Sequence, residues 1–164
     1  MMDNFSEFKF YRAFGSPISN GIHENLFIDG TRKPTHMPLD VHHIIDDWFM
    51  SKFNIKPRSS TVFVGTQLKS VESYAQSKGA VIKRICFPIG SKYIYSSKIH
   101  DLYSDYKLLI MSDGYADTRN IIPLLEESNY QITNHPELIP PDFLGEIMLY
   151  CTSFYLEDLW KEQI

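Results

Sequence analysis

The sequence predicts an α+β fold whose strands pair mostly antiparallel. Segments with strand-like alternation and segments with helical periodicity interleave along the 164 residues, but the strand-like segments are more numerous. A doubly wound parallel fold would need a helix after almost every strand, so this imbalance favours the antiparallel arrangement. No glycine-rich phosphate loop of either standard spacing is present. The length predicts one domain over residues 1–164.

The composition disfavours some classes of function. The net charge of -4 and the pI of about 5.8 argue against a protein that mainly neutralises phosphates. The N-terminus, MMDNFSEFKF, lacks the apolar core of a signal peptide, and no stretch approaches the roughly 20 apolar residues of a membrane span. Cys86 and Cys151 lie in apolar runs without metal-ligand spacing, which predicts buried free thiols. We therefore expect a cytoplasmic protein that does not contact a membrane.

The first half of the chain is predicted to hold two strands and a long helix. Residues 8–13 alternate as a strand does, and the glycines and prolines of 14–38 predict a long structured loop. The segment PLDVHHIIDDWFMSKF predicts a helix that has Asp40 as its N-cap and ends near Asn54. SSTVFVGTQ is β-branched and apolar, which predicts a buried strand. One helical face is apolar and consists of Val41, Ile44, Ile45, Trp48, Phe49 and Phe53.

The second half is predicted to alternate strands with short helices. LKSVESYAQSKG predicts a short amphipathic helix that buries Val71, Tyr74 and Ala75 and ends at Gly79. AVIKRICFPIG predicts a strand that ends at its proline. Further strands are predicted in KLLIMSD and YQIT, a helix in TRNIIPLLEESN, one or two strands in GEIMLYCTSFYLED, and a short helix in LEDLWKEQI.

Three elements of this pattern carry residue types that suit one kind of chemistry. Arg12 lies in the first strand, Thr66 ends a middle strand within Gly65-Thr66-Gln67, and Glu146 interrupts a late apolar strand. A half-buried arginine is costly unless a partner compensates it, and its planar fork of donors suits a phosphate. A carboxylate in the same cleft can bind ribose hydroxyls or stabilise positive charge as a glycosidic bond breaks.

The order of these elements resembles that of the ADP-ribosyltransferase family. That family carries an arginine on its first strand, a Ser-Thr-Ser-like triplet at the end of a middle strand, and a glutamate on a late strand. YRA, FVGTQLKSVESYA and GEIMLYCTSFYLED correspond to these three elements, over about residues 8–157. The resemblance implies a mostly antiparallel split β-sheet core with a few flanking helices. It also implies that the protein binds NAD and transfers ADP-ribose to a macromolecular acceptor.

The resemblance also implies roles for individual residues. Arg12, Thr66 and Glu146 would be the catalytic residues, and no metal is implied. Leu144 stands where members that modify arginine carry Glu or Gln, which disfavours arginine as the acceptor. The residues expected to contact NAD are Arg12, Gly65, Thr66, Gln67, Tyr74 and Arg58.

A second resemblance supports a different function. DGTRKPTHMPLDVHHIIDDWF, RSSTVFVGTQ and FPIGSKYIYS are similar to stretches in small proteins of large tailed phages. Such a protein would work in the host cytoplasm. The triplet keeps only Thr66, so the chain would alternatively be a catalytically inactive phage protein with the same fold. It would evade host defence by binding a host factor, for example an ADP-ribosylating toxin, or it would bind a nucleic acid or an ADP-ribose-like ligand. A third alternative is a small structural or packaged protein of the phage.

Each of these residues also has an ordinary structural interpretation. Arg12 would pair with an acidic neighbour at a sheet edge, Thr66 would be a β-former, and Glu146 would be the first exposed residue of its strand. The cations of TRKP and KPRSST would form either a basic patch for phosphates or a solvated loop. His42 and His43 point about 100° apart on a helix, so we expect structural or surface histidines there.

Overall fold

The computed structural model describes residues 4–34, 37–98, 111–112, 115–116 and 118–160. Its α-helices are α1 (Leu39–Phe53), α2 (Pro57–Ser60) and α3 (Ile121–Glu127). Its strands are β1 (Phe10–Phe14), β2 (Gly21–Glu24), β3 (Val62–Val64), β4 (Val81–Cys86), β5 (Lys92–Ser96), β6 (Met111–Ser112), β7 (Tyr115–Ala116), β8 (Tyr130–Thr133), β9 (Ile147–Tyr150) and β10 (Ser153–Glu157).

The strands of the described residues form two four-stranded sheets and a two-stranded ribbon. The first sheet has the order β1-β4-β10-β2, the second has the order β3-β9-β5-β8, and β6 pairs with β7. Every pairing is antiparallel. The predicted α+β class with antiparallel sheets is therefore confirmed in the described part of the chain.

The second sheet separates two apolar cores, as the two-residue period of a strand requires. Ile94 of β5 and Met148 of β9 face α1 and α3. Their neighbours Tyr93 and Leu149 face the first sheet instead. The second sheet is thus covered on one face by helices and on the other face by the first sheet. Strand β9, which belongs to the second sheet, therefore lies between these two layers.

A close backbone contact joins the two sheets at β1 and β3. The N–H of Tyr11 donates to the carbonyl of Gly65 at 2.8 Å, and the N–H of Gly65 donates back at 3.0 Å. Gly65 also lets the turn at Leu68–Ser70 pack closely, because a Cβ there would lie 2.5 Å from Ser70 Oγ. The backbone contact brings Arg12, the next residue of β1, beside β3.

Helix α1 has the bounds and the apolar face that the sequence predicts. It ends at Asn54, which adopts a left-handed conformation with φ 60° and donates its N–H to the carbonyl of Met50. Its N-cap is Pro38 rather than Asp40, whose carboxylate instead accepts the N–H of Val41. His42 and Asp46 are also buried on this helix, which the apolar pattern did not indicate.

The predicted helix at 68–79 is wrong. The segment forms two separate 3₁₀ turns, at Leu68–Ser70 and Glu72–Tyr74. Ser70 Oγ donates to the carbonyl of Gln67 at 2.6 Å and accepts the N–H of the same residue, and such local bonds compete with helix formation. Tyr74 is exposed rather than buried, whereas Val71 is buried as predicted.

The predicted loop at 14–38 contains a strand. Strand β2 pairs with β10 at the edge of the first sheet, and its residues alternate between half-buried and exposed. Few apolar residues are needed at such an edge, which explains why the sequence pattern missed it.

Four further strands agree with the sequence, whereas β5 and β7 lie where no strand was predicted. β4, β8 and the pair β9 and β10 lie in the predicted segments. Asp158–Trp160 are not helical, while residues 161–164 and most of KLLIMSD lie outside the described residues. Cys86 and Cys151 are free and buried, as predicted. Among the described residues, no helix has the length and apolar character needed to cross a bilayer.

Candidate functional site

A cavity of about 430 Å³ lies where β1, β3 and the start of β9 meet. A volume of this size is within the usual range for small-molecule sites. Arg12 lines it from β1, Gly65 from the end of β3, and Glu146 from the residue that precedes β9. Tyr74 and Leu144 also line it, and both side chains are largely exposed. Four of the predicted site residues (Arg12, Gly65, Tyr74 and Glu146) therefore share one cavity.

Arg12 supplies a half-buried positive charge at the wall of this cavity. Its Nη1 donates to the carbonyl of Phe63 at 2.7 Å, and its guanidinium lies 5.2 Å from the ring centroid of Phe14. Burial lowers the pKa of Arg12 to about 10, so the group stays protonated at neutral pH. No carboxylate among the described residues forms an ion pair with it.

Glu146 lines the same cavity and is paired with Arg58 of α2. Arg58 Nη1 and Glu146 Oε1 are 2.9 Å apart, and the two side chains are only 11% and 14% exposed. Met148 shares the face of Glu146, since its sulfur lies 3.9 Å from the same nitrogen. Arg58 was expected to contact NAD, but it pairs with Glu146 and does not line the cavity.

Arg32 adds a third guanidinium group that the sequence did not single out as buried. Its guanidinium lies 4.3 Å from the ring centroid of Phe63, and that of Arg58 lies 4.6 Å from the same ring. Arg32 also donates to the carbonyls of Arg58 at 2.8 Å and Thr61 at 2.6 Å. Burial, together with the positive charges of Arg12 and Arg58, lowers its pKa to about 10. Arg32 and Arg58 are therefore not part of a solvated loop.

Thr66 and Gln67 fasten the loop that precedes Glu146. The hydroxyl of Thr66 donates to the carbonyl of Phe143, and Nε2 of Gln67 donates to the carbonyl of Pro141 at 3.2 Å. Neither residue lines the cavity. Their side chains hold the loop 141–145 against the end of β3. They can therefore influence the cavity only by fixing the position of Glu146.

A buried acidic group supports the site from behind. Asp46 of α1 accepts the N–H of Arg58 at 2.6 Å, and its other oxygen lies 3.5 Å from Nε2 of His42. Burial lowers the pKa of His42, with Asp46 opposing this effect. No sequence signal identified Asp46, because an acidic residue on a helix is normally exposed.

The cavity thus presents a cation from β1 and a carboxylate at the start of β9. This pair of charges can bind a ligand that has an anionic part and a part that becomes positive during a reaction. Comparison of the chain with protein-family models, with curated proteins and with solved structures gives no match.

Proposed function

We propose that the protein has an ADP-ribosyltransferase-like fold, binds NAD and transfers its ADP-ribose to a macromolecular acceptor. The observation that supports this function best is the placement of Arg12 and Glu146 on the walls of one cavity. The two residues come from distant parts of the chain, and the contacts of β1 with β3 and of β3 with β9 bring them together.

Arg12 is suited to hold a phosphate of NAD. A guanidinium carries five N–H donors, and in the described structure Nη1 of Arg12 donates to one carbonyl oxygen. A buried charge that meets only neutral groups is costly, and an anionic ligand would remove that cost. A diphosphate is a strong candidate, since guanidinium groups bind phosphate oxygens in pairs.

Glu146 is suited to the transfer step. NAD supplies the ADP-ribosyl group when the bond between C1′ and the nicotinamide nitrogen breaks and nicotinamide leaves with the electron pair. The acceptor atom then bonds to C1′ and loses its proton. A carboxylate in a water-poor wall stabilises the positive charge that develops on the sugar.

Leu144 supports an acceptor other than arginine. It lies two residues before Glu146, lines the cavity and is 44% exposed. An apolar side chain there has no charge with which to attract the guanidinium of an incoming arginine.

A specific observation favours a second function, that of an inactive protein with the same cavity. Glu146 is already engaged by Arg58, and Thr66 is directed towards Phe143 instead of the cavity. Such a protein would use the cavity, or the scaffold alone, to bind and block a host defence factor.

The two functions are separated by calorimetric titration of NAD into the wild type, Arg12→Met and Glu146→Gln. For a transferase, we expect saturable binding that Arg12→Met weakens by about tenfold or more, because a hydrogen bond to a charged group contributes roughly 1.5–3 kcal/mol. Glu146→Gln should keep most of the affinity, because its role is in the transition state. Lys9→Met is the matched control, since Lys9 carries the same charge nearby but pairs with Glu157 and does not line the cavity.

A transfer assay with labelled NAD and cell lysate then tests the reaction itself. Labelled protein or nucleic acid that depends on Glu146 would support the transferase. Absence of NAD binding at millimolar concentration would reject it, and capture of a host partner would then be the next experiment.

A further inference from the structure

We infer that Arg58 is a positioning residue that holds the Glu146 carboxylate at the cavity wall, instead of binding a phosphate of the substrate. The inference rests on the proposed function, because it assigns Arg58 a role in the same reaction. It changes the role that the sequence suggested for this arginine.

The ion pair between Arg58 and Glu146 is largely removed from water. At 11% and 14% side-chain exposure, the contact of 2.9 Å is a charge-assisted hydrogen bond in a region of low dielectric constant. Such a bond restricts the rotation of the carboxylate. A carboxylate that must stabilise positive charge needs this fixed orientation before the substrate binds.

Arg58 is itself fixed at several points, which is what a positioning residue requires. Its N–H donates to Asp46 at 2.6 Å, and Asp46 is buried. Its guanidinium stacks over the ring of Phe63, whose other contact of this kind is with Arg32. Neither the backbone nor the guanidinium of Arg58 can therefore move far without breaking a contact.

The position of Arg58 argues against a direct role in phosphate binding. Arg12 and Glu146 line the cavity, whereas Arg58 does not. The hydroxyl of Thr66, the hydroxyl residue of the triplet, donates to the carbonyl of Phe143. A strong contact that orients the Glu146 carboxylate comes from Arg58.

The test is a double-mutant cycle on the release of nicotinamide from NAD, with water as the acceptor. The proteins are the wild type, Arg58→Lys, Glu146→Gln and the double variant. Lysine keeps the charge, and so the fold, but lacks the planar fork that stacks on Phe63 and reaches Glu146. We expect Arg58→Lys to lower kcat by about a hundredfold, as a misplaced catalytic group does. We expect its KM and Kd for NAD to stay within about twofold of the wild type.

The cycle shows whether Arg58 acts through Glu146. If it does, Arg58→Lys has no further effect on kcat in the Glu146→Gln background, because the two residues act as a unit. Lys56→Met is the control on the same segment. Lys56 makes an exposed contact of 3.9 Å with Asp47, and its removal should leave kcat unchanged.

Two outcomes would overturn the inference alone. If Arg58→Lys raised KM and Kd and left kcat unchanged, this result would show that Arg58 binds the substrate. Additive effects of Arg58→Lys and Glu146→Gln on kcat would show that Arg58 acts independently of Glu146. A wild type that neither binds NAD nor releases nicotinamide would instead overturn the proposed function, and this result is seen before any variant is made.

Discussion

The two sides of the cavity bury a guanidinium group in different ways. On the β9 side, Arg58 meets the carboxylate of Glu146 at 2.9 Å. On the β1 side, Arg12 meets the carbonyl of Phe63 at 2.7 Å and forms no ion pair with a described carboxylate. The thiol of Cys151 interacts electrostatically with Arg12, but burial raises the pKa of Cys151 to about 12, so it is neutral at pH 7. Arg58 is therefore compensated by an opposite charge, whereas Arg12 is held by neutral groups.

This difference means that Arg58 stabilises the protein, whereas Arg12 is retained at a cost in stability. Removing one partner of a buried ion pair leaves the other charge uncompensated, which is strongly destabilising. Removing a buried charge that has no opposite charge relieves a desolvation penalty. Groups of the second kind are typical of binding sites, where stability is traded for function.

The largest expected effect is the contrast between Arg58→Met and Arg12→Met in the free energy of unfolding. Arg58→Met leaves Glu146 buried without its partner and should cost about 3 kcal/mol. Arg12→Met should leave stability within about 1 kcal/mol of the wild type, or increase it. Urea denaturation measures both values.

A double variant sharpens this contrast. Arg58→Met combined with Glu146→Leu replaces the pair with apolar side chains and should regain most of the loss, as such replacements often do. An equal loss of stability in Arg12→Met and Arg58→Met would contradict the distinction between the two sides.

The next effect concerns the contact that joins the two sides. In Gly65→Ala, the new Cβ would lie 2.5 Å from Ser70 Oγ and 3.1 Å from Val71 Cγ1. Overpacking of this kind costs about 1–3 kcal/mol, and the strain falls between Gly65 and the turn that carries Ser70 and Val71. Urea denaturation should show the loss, and adding Ser70→Gly should restore part of it by removing the nearest atom. No recovery in the double variant would show that the contact with Ser70 is not the cause.

A smaller effect is expected for Thr66→Val, which keeps the shape of the side chain but removes its hydroxyl. The carbonyl of Phe143 then loses a donor, at a cost of about 1 kcal/mol. Because this bond fastens the loop before Glu146, hydrogen exchange should speed up at the N–H of Phe143, which donates to Pro140 at 3.0 Å. Thr152→Val, on an exposed turn at the other end of β9, is the control. Unchanged exchange at Phe143 would show that Thr66 does not hold the loop.

The fold was predictable where local pattern and tertiary environment agree. α1 carries a six-residue apolar stripe, and β3 and β9 are apolar runs, so burial alone specifies them. β2 and the segment 68–79 were not predictable in this way. β2 exists because β10 offers it an edge, and the two 3₁₀ turns depend on bonds between Ser70 and Gln67.

The candidate site was predictable in its chain order and less so in its contacts. Arg12, Gly65 and Glu146 were chosen from the sequence and lie around one cavity. The direction of the Thr66 hydroxyl and the partner of Arg58 depend on residues 77 and 88 positions away in the chain, so no local pattern encodes them. The burial of Asp46 and Arg32 likewise follows from long-range bonds to backbone groups.

The smallest expected effect is on the pH dependence of stability, and it tests the groups that support the β9 side of the cavity. His42 is buried, and burial lowers its pKa below the usual 6.5, so the folded state binds a proton less readily than the unfolded state. The stability contributed by neutral His42 is present above pH 6.5 and is lost as the pH falls towards the lower pKa of the folded state. Because Asp46 contacts both His42 and Arg58, the loss weakens the β9 side.

Urea unfolding at pH 7 and pH 5.5 should therefore show a smaller pH dependence of stability in His42→Gln than in the wild type. His135→Gln, which changes an exposed histidine, should match the wild type, and equal pH dependence in all three proteins would contradict a role for His42.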